Sequence, residues 1–100
     1  KESSAASDVY KRQEFVMSKQ ILRSGTSIGA NIREAEQAQS RADFINKLNI
    51  ALKEANETEY WLELLIRTEY ITREQYESIN NDSTEINKLL ISIIKTTKNY

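Results

Sequence analysis

The chain has 100 residues, no cysteine, no histidine, no proline and two glycines, with a formal net charge of −1. That length suits one domain. Without cysteine, disulfides, thiolate chemistry and cysteine-bound clusters are excluded for this chain, and without histidine the commonest metal ligand and neutral-pH base is missing.

Apolar residues make up 39% and charged residues 29%, which describes a water-soluble chain with long solvated faces. A sheet protein would need more turn residues, so the scarcity of glycine and proline favours helices. Residues 1–50 carry eight Lys/Arg and six Asp/Glu, a net of +2; residues 51–100 carry six and nine, a net of −3. Neither half has the basic excess of a dedicated nucleic-acid binder. No apolar run is long enough to cross a membrane, and no secretory signal pattern is visible, so the cytoplasm is the expected location. The chain starts at Lys1 without Met, and it is expected to be part of a longer protein.

Residues 1–13, KESSAASDVYKRQ, are weakly patterned. Their serines and Asp8 suit caps better than helix interiors. An irregular lead-in is expected here, or a short helix from about Asp8. Residues 14–37 repeat apolar groups at Phe15, Met17, Ile21, Leu22, Ile28, Ile32 and Ala35, the steps of a helix. Their centre, Ser24 to Ala30, is dense in small residues. By propensity it reads as a break; by packing it reads as a face that admits a close neighbour, with Gly25 and Gly29 on one side. It lacks the spacing of a phosphate-cradling glycine loop. A continuous helix with a kink near Ser24–Gly25 and two helices broken there both remain open.

Residues 40–67 give the clearest pattern. Phe44, Leu48, Ala51, Ala55, Thr58, Leu62 and Leu65 recur at three- and four-residue steps, widened by Ile45, Leu52 and Trp61. Ser40 with Asp43 predicts the N-cap. Such a helix is about 40 Å long and requires long partners. Thr72 with Gln75 predicts a capping box, and the last helix is expected from Arg73 to about Thr97. Tyr76, Ile79, Ile86, Leu90 and Ile93, with Leu89 and Ile94, form its expected buried stripe. Asn80 to Ser83 are read as a solvated face without a turn, and Lys95–Tyr100 as a fraying end. The fold class is thus all-α: an antiparallel bundle of three long helices plus a short irregular N-terminal segment, divided as 1–13 and 14–100. The first segment is too short to cover the remaining side of the middle helix.

Three stretches carry a family resemblance. RSGTSIGANIREA, residues 23–35, has Arg23, Ser27, Ile28, Asn31, Ile32, Glu34 and Ala35 at the family's positions. ADFINKLNIALKEANETEYWLELL and YITREQYESI continue it. Over roughly four fifths of its length the chain resembles the family named for proteins encoded in intervening sequences of 23S ribosomal RNA genes. That resemblance implies a four-helix up-down bundle, self-association into a ring that is typically a pentamer, and no assigned biochemical role. A distant branch serves retroelements as an accessory protein that binds nucleic acid. Family members carry a full first helix before the Glu14 position, where this chain has residues 1–13.

No catalytic, cofactor or metal residue is assigned. Glu54, Glu57, Glu59 and Glu63 are the densest carboxylates, but a di-metal bundle pairs such residues with histidine. Glu59 and Glu63 are read as a solvated ridge and Glu57 as an interhelical partner. Arg23 is expected to pair with Glu34 or Glu57, and Asn31 to satisfy backbone groups on the small-residue face. Lys19, Arg23, Arg33, Arg41 and Lys47 supply the positive charge of the first half, which a ring would repeat in every subunit. Tyr60, Trp61 and Tyr70 suit either a partner contact or helix-end packing. Lys19, Arg23, Asn31, Arg33, Glu34, Arg41 and Glu57 are therefore the candidate structural or nucleic-acid contacts. The expected function is a non-catalytic homo-oligomeric scaffold or protein-interaction module, the alternative an RNA- or DNA-binding accessory protein, with no membrane partner.

Overall fold

The computed structural model describes residues 4–99. Three helices follow in order: α1 (Ser4–Glu36), α2 (Arg41–Arg67) and α3 (Arg73–Lys98). The helix stop and start signals fall where the sequence places them. Ser40 accepts a hydrogen bond from the Asp43 amide at 3.0 Å and caps α2. Thr72 and Gln75 form a reciprocal capping box at α3, with bonds of 3.0 and 2.9 Å. α3 continues helical through Lys98, beyond the expected start of fraying, and Tyr100 lies outside the described residues.

The N-terminal segment differs from expectation. Residues 4–13 are helical and continuous with the rest of α1, so no boundary falls at 13/14. Residues 1–3 lie outside the described residues. Helix formation is costly to nucleate and cheap to extend. The strong segment from Glu14 onward supplies the nucleus, and Lys11, Arg12 and Gln13 extend it at little cost. The helix also runs through Ser24 and Gly25 without interruption. The reading of two helices broken there is set aside.

The three helices form a layer one helix thick, with principal extents of 61 × 23 × 13 Å. α2 lies in the middle. α1 packs on one side of it and α3 on the other, and α1 and α3 do not pack on each other. Of the predicted stripe of α2, Leu48, Ala51, Ala55, Thr58, Leu62 and Leu65 are buried and Phe44 is half-buried. Ile28 and Ala35 of α1, and Leu90 and Ile94 of α3, close the core around them.

The outer helices bury less than their patterns suggest. On α3 only Ser83, Leu90 and Ile94 are buried. Ile79, Ile86, Leu89 and Ile93, expected in the core, are exposed. Ser83, expected on a solvated face, is buried instead. On α1, Phe15 and Leu22 are 63% and 70% exposed. The physical reason is the layer itself: each outer helix has one neighbour, and one neighbour covers only about half of a wide apolar stripe.

The turn after α2 holds the only non-glycine residue with positive φ among the described residues, Glu69 at 62°. The Tyr70 amide donates to the Leu65 carbonyl at 3.0 Å and the Glu69 amide to the Ile66 carbonyl at 3.1 Å. This is the left-handed helix stop that glycine normally occupies. An L-residue there costs about 1–2 kcal/mol. Glu69→Gly is therefore expected to raise stability by about 1 kcal/mol, less the entropy that glycine adds to the unfolded chain, read as a higher midpoint in thermal denaturation.

Candidate functional site

Four features concentrate on the middle helix: two pins that hold α1, one clasp that holds α3, and an open face between the outer helices.

The first pin is buried. Ser24 and Thr58 are 0% and 8% exposed, and their hydroxyl oxygens lie 2.7 Å apart. Thr58 Oγ1 also lies 2.9 Å from the Glu54 carbonyl. Ser24 Oγ lies 3.3 Å from the Ile21 carbonyl, so one hydroxyl donates to the other, which in turn donates to a carbonyl of its own helix. Both hydroxyls are satisfied, and because both side chains are small the two backbones approach closely here.

The second pin is at the surface, one residue away on each helix. The Arg23 guanidinium donates to Glu57, with Nη1 also 3.5 Å from Glu54 Oε2 and Nε 3.0 Å from Gln20 Oε1. Trp61 donates its indole N–H to the same Glu57 oxygen at 3.3 Å. These donors hold the Glu57 carboxyl below its ordinary value, Arg23 first and Trp61 second, and Glu57 in turn raises Arg23. Of the two partners expected for Arg23, the structure selects Glu57. Glu34 instead pairs with Lys47 at 3.6 Å.

The clasp on α3 is built by Glu59. Its carboxylate accepts from Ser83 Oγ at 3.3 Å and from Asn87 Nδ2 at 2.5 Å. The expected solvated ridge of Glu59 and Glu63 is thus divided. Glu59 turns into the α2–α3 seam, while Glu63 stays exposed and pairs with Arg67 one turn on. Sequence inspection missed Ser83 and Asn87, because a polar side chain facing a neighbouring helix looks the same in sequence as one facing water.

The remaining candidates do not come together. Asn31 donates to the Ser27 carbonyl at 2.9 Å, the local backbone bond expected of it. Lys19, Arg33 and Arg41 are exposed and take part in no ion pair among the described residues. Trp61 packs edge-on against Tyr60, with ring centroids 5.2 Å apart.

The open face lies between α1 and α3, with α2 as its floor. It forms a groove of about 420 Å³. Ile21, Gly25 and Gly29 line one wall, Ile79 and Ile86 the other, and Ala55 lies at the bottom. A Cβ added at Gly25 or Gly29 would meet nothing within 4 Å. The small-residue face of α1 therefore points at open space, and packing within the chain does not require its glycines. Among the described residues no group of acidic side chains is placed to hold a metal ion, and no helix is long and apolar enough to cross a membrane.

Geometry of this kind defines an all-α helical-bundle chain whose internal polar contacts dock one helix on another. The particular family follows from comparison: the family model of the 23S rRNA-intervening sequence protein matches residues 3–92, and the chain belongs to that family. The chain is also similar to a crystal structure, at 1.70 Å resolution, of a protein with unknown function from the S23 ribosomal protein family of Bacteroides thetaiotaomicron VPI-5482. Identity is 95% over 87% of this chain and 78% of that chain, with a TM-score of 0.81. No curated protein matches. Neither description names a catalytic activity.

The pins yield two expected outcomes. A carboxyl held low in the folded state contributes stability that is complete above its unfolded value, near 4.5, and is lost as pH falls through its lower folded value. Acid titration of unfolding free energy should therefore show wild type and Glu57→Gln separated at neutral pH and converging as the pH falls below about 4.5. For the buried pair, Ser24→Ala and Thr58→Val should each destabilise by about 1 kcal/mol in urea denaturation. The double variant should cost less than their sum, since the two side chains share one bond.

Proposed function

We propose that this chain is a non-catalytic scaffold that works by self-association, and that a second copy of the chain covers its open face. The observation that carries this reading is that the face holds both halves of a fit. α3 presents a ridge: Ile79, Ile86 and Ile93, each seven residues from the next, with Leu89 beside them. α1 presents a slot, where Gly25 and Gly29 leave room for a neighbouring backbone to approach. One copy's ridge matches another copy's slot, and burying both removes a large apolar surface from water. The ring-like homo-oligomers implied by the family resemblance have the same need for a repeated apolar face, and a pentamer is the ring it implies.

The internal polar groups support a structural role. Glu57 and Glu59 are engaged by Arg23, Trp61, Ser83 and Asn87, which leaves neither carboxylate poised over a cavity. Nucleic-acid binding by the α1 cations has less behind it, since Arg23 is already held by two carboxylates and Lys47 by Glu34. The cytoplasm remains the expected location on the family resemblance.

Sedimentation velocity at micromolar concentration is the test. The expected result is an oligomer that Ile86→Asp converts to a smaller species while the helical circular-dichroism signal is retained. A wild-type chain that sediments as a monomer would overturn the self-association reading.

A further inference from the structure

The face opposite the groove has its own pattern. Asn46, Asn49, Lys53, Asn56, Tyr60 and Glu63 follow one another along α2 at steps of three and four residues, and all six are exposed. That spacing draws one line along a helix. At 3.6 residues per turn, Lys53 stands roughly opposite the groove floor marked by Ala55 and Thr58.

α3 contributes to the same side. Lys88 and Lys95 are seven residues apart and exposed. The helical turn sets them roughly opposite Ile79 and Ile86, which line the groove. Glu59 meets both Ser83 and Asn87, which fixes the antiparallel register of α2 and α3. By that register Lys88 lies level with about Asn56 and Lys95 with about Asn49, roughly 10 Å further along, while Lys53 lies between them in height.

The carboxylates nearest these lysines stand at the edges of two acid-free stretches: Glu85 three residues before Lys88, and Glu54 and Glu57 after Lys53. Residues 44–53 of α2 and 86–98 of α3 contain no Asp or Glu. Glu54 faces Arg23, and Glu57 is held by Arg23 and Trp61. None of Lys53, Lys88 and Lys95 takes part in an ion pair among the described residues. In a chain of net charge −1, this end of one face is locally basic.

We propose that Lys53, Lys88 and Lys95, with Asn46, Asn49 and Asn56 between them, form a binding face for the phosphodiester backbone of a nucleic acid. The lysines supply unpaired positive charge along a strip. The carboxamides both donate and accept, which suits phosphate oxygens, sugar hydroxyls and base edges. A nucleic acid fits better than an anionic lipid surface because asparagine predominates among the cations: the exposed apolar groups here are Tyr60 on the α2 line and Ile91 between Lys88 and Lys95, less than the continuous apolar face that a membrane-docking helix buries. The site is separate from the groove and from the α1 cations singled out in the sequence, and it stands whether or not the chain self-associates.

The test is titration of the full chain with fluorescent oligouridine and oligothymidine, and with the corresponding duplexes, across a range of salt. Three lysine–phosphate contacts predict a logarithmic salt slope of about −2 on a single strand, so affinity should fall about 20-fold between roughly 50 and 200 mM salt. The variant carrying Lys53→Gln, Lys88→Gln and Lys95→Gln should lose that slope and most of the binding. Glutamine is a good exposed helix residue, so helicity and sedimentation should be unchanged. Comparison of the uridine and thymidine arms shows whether RNA or DNA is preferred. The proposal is overturned by absence of binding to every oligonucleotide at low salt, or by unchanged binding in the triple variant. It is equally overturned if the variant carrying Lys19→Gln, Arg33→Gln and Arg41→Gln loses binding instead, or if the chain associates with phosphatidylserine vesicles but with no oligonucleotide.

Discussion

The close approach of α1 to α2 at Ser24 and Thr58 is the constraint on which the rest depends. Two small hydroxyl side chains, bonded at 2.7 Å and shut off from water, set how near the helices lie and at which level they meet. A buried hydroxyl without a partner is costly, so a shift of one residue in register would be penalised at both positions. The surface ion pair of Arg23 with Glu57 sits one residue along on each helix and repeats the same register in charge. Its exposed position makes it a weak contributor by itself, and it matters mainly as a second copy of the alignment.

On the other side of α2 the same logic operates with different chemistry. Glu59 is half-buried, and its charge is met by neutral donors from Ser83 and Asn87. Those donors make α3 specific in level as well as apolar in contact. Asn87 Oδ1 is buried without a partner. Turning the amide over would place that oxygen against the Glu59 carboxylate, so the orientation follows from the charge of Glu59. The consequence for the whole is a layer with two unlike faces. One face exposes the isoleucines of α3 beside the glycines of α1. The other exposes asparagine and lysine, with Tyr60, Glu63 and Ile91 among them. Self-association on the apolar face leaves the polar one in contact with solvent, and the two surfaces can serve different partners.

Much of this was legible in the residue pattern. The stripe from Leu48 to Leu65 has a helix on either side, and Leu48, Ala51, Ala55, Thr58, Leu62 and Leu65 are all buried, while Phe44, Ile45, Leu52 and Trp61 at its margins are half-buried. The caps at Ser40 and Thr72 are local events that need no knowledge of the rest of the chain. The sequence offered Arg23 two partners, Glu34 and Glu57, and only the packing of α1 on α2 selects Glu57. Ile79, Ile86 and Ile93 were misread as core for a physical reason: periodicity reports that a helix has an apolar face, not that anything within the same chain covers it. Residues 1–13 left an irregular lead-in and a short helix from about Asp8 both open; the helix is the outcome and begins earlier, at Ser4, because a helix already nucleated downstream lowers the cost of extending it.

The amino-acid sequence alone determined the three helices, the buried face of the middle one, the two corners and the family. These depend on local backbone preference and on spacing along a single helix, both of which are written in the order of residues. Tertiary structure decided which polar groups meet. Glu59 and Glu63 are alike in sequence, but only Glu59 faces another helix. Lys53, Lys88 and Lys95 are scattered along the chain and become neighbours only through the antiparallel register of α2 and α3. Tertiary structure also showed that Gly25 and Gly29 face open space. Whether a residue is enclosed depends on what lies beside its helix, and that is set by packing across the layer.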